Sequence, residues 1–275
     1  MFPLFGWVQP VVEPELAEPA VGEEIVLRVP GMTESFTMVR CPAGPLVFDG
    51  NESGNTIPEL YVLTTEVTWD LYDIYLYKLD EPEPGSVLDG VSRPSKPYVP
   101  PDRGFGHEGY PAIGMTRKAA EGFCDWLGLK TGLEIRLPTV AEWQHLARAG
   151  DEEPGEPDSI AWHRGNAEHT THPVGGLRPN AFGLFDVFGN AAEWVVSDTR
   201  KPIAYGGGYR DLPEESTAES FQKQMSNWNQ SDPQIPKSQW WLADCSWVGF
   251  RFVIEAEGVD PEQLEELMHE TEQAD

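Results

Sequence analysis

Between residues 24 and 41 the chain alternates apolar and polar positions with a period of two. Glu24-Ile-Val-Leu-Arg-Val and Phe36-Thr-Met-Val-Arg are therefore read as strands, with Pro42-Ala-Gly-Pro as the turn that follows. The period then lengthens. Thr68 is placed to cap a helix whose inner face is Leu71, Tyr72, Tyr75 and Leu76. Thr116 is placed to cap a second, with Ala119, Ala120, Phe123, Cys124 and Leu127 on one face and Gly132 at its end. Leu137-Pro-Thr-Val-Ala-Glu-Trp143 carries a capping-box signature, Thr139 paired with Glu142, ahead of an inner face of Trp143, Leu146 and Ala147. Residues 80–110 are rich in Pro and Gly and read as a long loop. After Gly150, short apolar runs alternate with Gly, Asn and Pro as irregular strands and loops until Asp260-Pro261 opens a last short stripe, Leu264, Leu267 and Met268. That stripe can dock on the body or on a partner, but a terminal turn this short is expected to fray. The expected organisation is an extended Pro- and Glu-rich arm over 1–24, one α+β domain over 25–254 that is irregular and loop-rich with two main helices, and an acidic tail over 255–275.

Composition narrows the partners. A formal charge of −27 repels phosphate backbones and anionic lipid surfaces, so neither nucleic acid nor membrane insertion is expected. No apolar run is long enough to span a bilayer. Three scattered cysteines, Cys41, Cys124 and Cys245, make no disulfide framework. The apolar start MFPLFGWVQPVV lacks the basic segment and small-residue cleavage site of a signal peptide. The compartment stays open: cytoplasmic if Met1 is native, extracytoplasmic if the chain is a processed form. Ten Trp among 27 Gly and 25 Pro point to large aromatics filling the core of a loop-rich fold. Trp143 and Trp194 are assigned to that core.

An ordered set of segments carries a family resemblance. Phe36-Thr-Met-Val with Pro-Ala-Gly, Glu66-Val-Thr, Pro111-Ala-Ile-Gly-Met, Phe123-Cys-Asp-Trp-Leu, Arg136-Leu-Pro-Thr-Val-Ala-Glu-Trp143, Asn180-Ala-Phe-Gly-Leu-Phe-Asp-Val-Phe-Gly-Asn-Ala-Ala-Glu-Trp194, Tyr205-Gly-Gly-Gly-Tyr and Val248-Gly-Phe-Arg251 resemble, in order, the blocks of the sulfatase-modifying-factor (formylglycine-generating enzyme) family. Arg93-Pro-Ser-Lys-Pro-Tyr-Val-Pro-Pro and Ser231-Asp-Pro-Gln-Ile-Pro-Lys-Ser-Gln-Trp-Trp resemble a bacterial branch of paralogues without the oxidase chemistry. The resemblance implies an irregular relative of the C-type lectin fold.

It also implies where chemistry would sit. Active members hold copper(I) through two cysteines shortly after the glycine block and oxidise a sulfatase cysteine to formylglycine. Aligned by the glycines, those positions fall at about Asp211 and Ser216, which supply no soft thiolate, so no copper and no catalytic residue are expected. Cys245 alone makes no two-coordinate site, and Cys124 lies on the inner face of its helix. In the family the Asp186 loop wraps a calcium ion, which implies one Ca²⁺ site from Asp186, Gly189, Ala191 and Glu193. His172-Pro-Val-Gly-Gly replaces the acidic loop of a second calcium site. His163, His169 and His172 with Glu168 form a candidate metal cluster weighed against an exposed polar loop.

What remains is a binding surface. Tyr209, Arg210, Asp211, Trp228, Trp240 and Trp241 are taken as ligand-binding residues, with Trp247 in the same segment. The expected function is a non-catalytic binding or scaffold module, a possible assembly subunit through its arm and tail, for a protein partner or a saccharide. Two alternatives accompany it: a maturation oxidase with an altered metal centre, and a carbohydrate-binding module, which requires exposed coplanar aromatics.

Overall fold

A computed structural model describes residues 21–48, 51–80, 92–97, 100–149, 155–198 and 201–269. The first twenty residues of the expected arm and the last six of the expected tail lie outside them. In chain order the first elements are β1 (Glu24–Arg28), β2 (Ser35–Cys41), β3 (Gly44–Phe48), β4 (Asn51–Ile57), β5 (Leu60–Leu63), α1 (Trp69–Tyr77), α2 (Arg117–Thr131), α3 (Val140–Arg148) and α4 (Pro157–Ile160). They are followed by β6 (Ala161–Trp162), β7 (Phe188–Gly189), β8 (Ala192–Val195), β9 (Ile203–Tyr205), β10 (Phe221–Lys223), β11 (Val248–Gly249), β12 (Val253–Glu255) and α5 (Pro261–His269).

The two strands read from the period-two pattern pair antiparallel, with Ile25 opposite Met38 and Leu27 opposite Phe36. Alternation sends Ile25 and Leu27 inward and leaves Val26 exposed. The sheet runs β1-β2-β5-β12, so the chain's first and last strands share it. A second sheet runs β10-β9-β8-β11, with β8 and β11 parallel. Strand β10 ends that order, and among the described residues one of its edges has no strand partner.

Capping explains where the helices begin. The Thr116 hydroxyl accepts from Ala119 N–H at 3.2 Å, and Gly132 closes α2 in the left-handed region at φ 73°. The capping box of α3 is present in both directions: Thr139 N–H donates to the Glu142 carboxylate at 2.7 Å and Glu142 N–H to the Thr139 hydroxyl at 3.3 Å. Thr68 departs from expectation. It stands at the start of α1, but its hydroxyl makes no capping bond. The N–H of Trp69, the first helical residue, donates to the Tyr110 carbonyl of the long loop at 3.0 Å.

The core is built on indoles. Trp69, Trp126, Trp143 and Trp194 are all fully buried, and the N–H groups of three find acceptors: Trp126 in Asp80, Trp143 in Glu193 and Trp194 in the Met115 carbonyl. Asp80 also takes Arg93 at 2.9 Å and Lys130 at 2.7 Å, tying the long loop to α2. The tail does not fray over its helical part. In α5, Leu264 and Leu267 are buried, and Gln263 Nε2 donates to the Thr131 carbonyl at 2.7 Å, so these two residues dock on the body while Met268 stays exposed. No helix among the described residues is long and apolar enough to cross a membrane.

Candidate functional site

A three-glycine turn organises the site. Gly206 and Gly207 follow β9 with φ of 90° and 69°, a region that disfavours side chains. A Cβ on Gly207 would collide with the Ser216 hydroxyl, and Gly208 N–H donates to Asp211 Oδ2 at 2.9 Å. Asp211 and Ser216 thus approach neighbouring glycines of one turn. Both side chains are already engaged: Asp211 Oδ2 also accepts from Gln222 Nε2 at 2.7 Å, and the Ser216 hydroxyl donates to the Leu212 carbonyl at 3.3 Å.

From Asp211 the network continues outward. Trp247 Nε1 donates to Gln222 Oε1 at 2.9 Å, and the Arg210 guanidinium lies 3.6 Å from the centre of the Trp247 ring. Trp228 packs edge-on against Trp247, centroids 5.3 Å apart. Together these residues border a cleft of about 570 Å³, completed by Phe221, Lys223, Met225, Asn227 and Asp244. Of the six ligand-binding residues chosen from sequence, Arg210 and Trp228 line this cleft. Tyr209 and Asp211 stand behind it, Tyr209 bonded to the Ser246 hydroxyl at 3.0 Å. Trp240 and Trp241 belong elsewhere. Trp241 is buried with its indole N–H on the Ser95 carbonyl at 2.8 Å, and Trp240 is half-buried under Lys118. Phe221, Lys223 and Met225 escaped the sequence reading. The signal that marks the first two is the exposed–half-buried–exposed alternation of β10, which puts them on one face.

A second constellation is buried. Arg251 Nε reaches both Glu193 oxygens at 2.8 Å, Arg251 Nη2 reaches Oε1 at 2.6 Å, and Trp143 Nε1 donates to Oε2 at 2.7 Å. Arg251 also donates to the carbonyls of Leu63, Thr64 and Phe185. Two further buried carboxyls share the neighbourhood. Glu66 Oε1 accepts from Ala191 N–H at 3.2 Å and Asp186 Oδ2 from Gly175 N–H at 2.6 Å, while Glu66 Oε2 and Asp186 Oδ1 have no partner. Burial, reinforced by the charges of Asp186 and Glu193, pushes the Glu66 carboxyl well above its usual range. Burial likewise lifts Asp186 from 3.8 to about 6, against the pull of the Gly175 N–H and Arg251.

Comparison with known proteins decides the family. Residues 29–256 match the sulfatase-modifying factor enzyme 1-like domain (FGE-sulfatase). The chain belongs to this family. A formylglycine-generating enzyme from Mycobacterium tuberculosis is 30% identical over 108 residues, 33% of this chain and 34% of that one. A Chlamydia pneumoniae protein named serine/threonine-protein kinase pkn1 is 36% identical over 94 residues, 32% of this chain and 14% of its own length. The chain therefore spans well under two thirds of these curated relatives. The solved structure of PvdO from Pseudomonas aeruginosa shares the fold, with a TM-score of 0.60 at 20% identity over 86% of this chain and 100% of that one.

For a member of the FGE-sulfatase family, the metal positions can now be weighed. The carboxylate of Glu193 receives four donor contacts, which fill the lone pairs of its two oxygens, and a guanidinium already supplies positive charge there. Of the expected calcium set Asp186, Gly189, Ala191 and Glu193, the Glu193 carboxylate is committed to Arg251 and Trp143, while Asp186 Oδ1 has no partner. The histidines do not converge either. His163 accepts Gly165 N–H on Nδ1 and so presents Nε2–H to Asp158 at 2.8 Å, His172 stacks on Trp162 and bonds the Ala167 carbonyl, and His169 is exposed. Among the described residues, no group of three His, Cys, Asp or Glu is placed to hold a metal. All three cysteines are buried, and burial pushes the thiols of Cys41 and Cys245 up to about 12.

Proposed function

We propose that the chain is a non-catalytic binding module of the FGE-sulfatase family, acting through the cleft between Arg210 and Lys223. The observation that carries this reading is the state of the two positions matching the family's copper cysteines. Asp211 and Ser216 come to the same glycine turn, but as hard oxygen groups already consumed in hydrogen bonds, and Asp211 has become a strut that fixes Gln222 and Trp247 under the cleft. Kinase-named relatives in which the match takes up 14% of the length fit a module that accompanies different activities. The carbohydrate alternative loses support because Trp240 and Trp241 offer no exposed coplanar pair. No observation favours an altered oxidase centre.

The test is copper(I) titration against a chromogenic chelator. The wild-type chain is expected to leave copper with the chelator. The double variant Asp211→Cys/Ser216→Cys is expected to gain one tight copper(I) per chain, because both side chains already face one turn. Tight stoichiometric binding by the wild type would overturn the reading.

A further inference from the structure

The cleft holds two cations in place without using their donors. Stacking on Trp247 engages the face of the Arg210 guanidinium and leaves its in-plane N–H groups free to point outward. Its ion-pair contact, to Asp211, is 4.0 Å long, beyond hydrogen-bond range. Lys223 Nζ stands 5.4 Å from the Phe221 ring and has no ion pair or hydrogen bond among the described residues. Two of the cleft's other polar groups are occupied: Gln222 at both ends, and Asp244, whose two oxygens take the N–H and hydroxyl of Ser231 at 2.7 and 2.6 Å. A larger recess of about 780 Å³ beside α3 offers a contrast. Its arginines are already paired, Arg148 with Glu219 at 2.9 Å and Arg178 with the Ser159 hydroxyl at 2.9 Å.

In a chain of formal charge −27, two cations with open donors in one cleft run against the general charge. Beside them lie the exposed apolar side chains of Phe221 and Met225. The cleft also borders β10, whose outer edge has no strand partner among the described residues and so offers backbone donors and acceptors to an extended chain. We propose that the cleft binds an extended acidic peptide segment, with Arg210 taking a carboxylate in the plane of its guanidinium, Lys223 adding charge from β10, and neighbouring apolar side chains covering Phe221 and Met225. This rests on the binding-module reading and names its partner's chemistry.

Isothermal titration calorimetry of peptides into the intact chain tests it. The probes are acetyl-Leu-Glu-Phe-Glu-Val-amide, its Gln and Lys counterparts, and the Gln peptide with a free C-terminus, which separates side-chain from terminal carboxylates. The acidic peptide is expected to bind at least about tenfold more tightly than the Gln amide, as for a charge-assisted hydrogen bond. Arg210→Gln and Lys223→Gln are each expected to weaken it about tenfold with unchanged melting temperature. Binding is also expected to weaken as salt rises. Equal affinity for the Glu and Gln amides, an Arg210→Gln variant that binds like the wild type, or no binding by any carboxylate probe would overturn the proposal. Preference for the Lys peptide would overturn the ligand's charge while leaving a binding module standing, and the copper titration judges that module separately.

Discussion

Asp186→Asn is expected to stabilise the protein by about 2–3 kcal/mol above about pH 6 and to change little below about pH 4. Asp186 is 2% exposed, has one oxygen without a partner, and ionises at about 6 rather than 3.8. An unfolded chain ionises this group near 3.8, so between that pH and about 6 the native state binds the extra proton. Stability from this group is therefore greatest below the unfolded value, falls as pH rises through the window, and stays lower above it. An asparagine carries no charge to bury, and its amide oxygen can still accept the Gly175 N–H. It also tolerates the φ of 51° at this position better than most residues. Urea unfolding at about pH 4 and about pH 8, with and without a calcium chelator, checks this. A variant less stable than the parent at the higher pH, in a chelator-sensitive way, would show that a cation holds Asp186 after all.

Arg251→Met is expected to cost about 3–5 kcal/mol, a large share of the stability of an ordinary domain. Methionine fills much of the volume but leaves Glu193 buried without its guanidinium and removes a donor from the carbonyls of Leu63, Thr64 and Phe185, of which Thr64 keeps the Phe185 N–H at 2.8 Å. Those carbonyls belong to β5, the segment after it and the loop before β7, so one side chain ties three parts of the fold to β8. Glu193→Gln added to Arg251→Met is expected to recover part of the loss, since it removes the uncompensated charge while an amide oxygen can still accept from Trp143. A double-mutant cycle by urea unfolding reads this. Simple additivity of the two single losses would show that the pair does not act as a unit.

Local chemistry was legible in the sequence. Thr139 with Glu142, Thr116 and Gly132 each act over three or four residues, and each does what its spacing implied. Thr68 starts α1 without capping it, and the Tyr110 carbonyl on the Trp69 N–H is a distant contact that no local pattern announces. Pairing of β12 with β5 joins the two ends of the chain, and no local period announces it. The same limit shaped the site. Arg210 and Trp228, chosen from the 205–247 segment, line one cleft, but clustering in sequence placed Trp240 and Trp241 beside them when in space they pack against Lys118, Tyr72 and the Ser95 carbonyl. Glu66 and Arg251 stood in view as family blocks. Arg251 meets Glu193 across 58 residues and Glu66 meets the Ala191 N–H across 125, a convergence that required the fold.

Mass spectrometry of a cysteine-bearing sulfatase peptide, incubated with the purified chain, copper(I), oxygen and reductant, tests the proposed absence of catalysis most directly. With Asp211 and Ser216 bonded into the glycine turn, the peptide is expected to keep its cysteine mass through many equivalents of enzyme and time. Conversion of that cysteine to formylglycine by the wild-type chain would contradict the account and return the cleft to the oxidases.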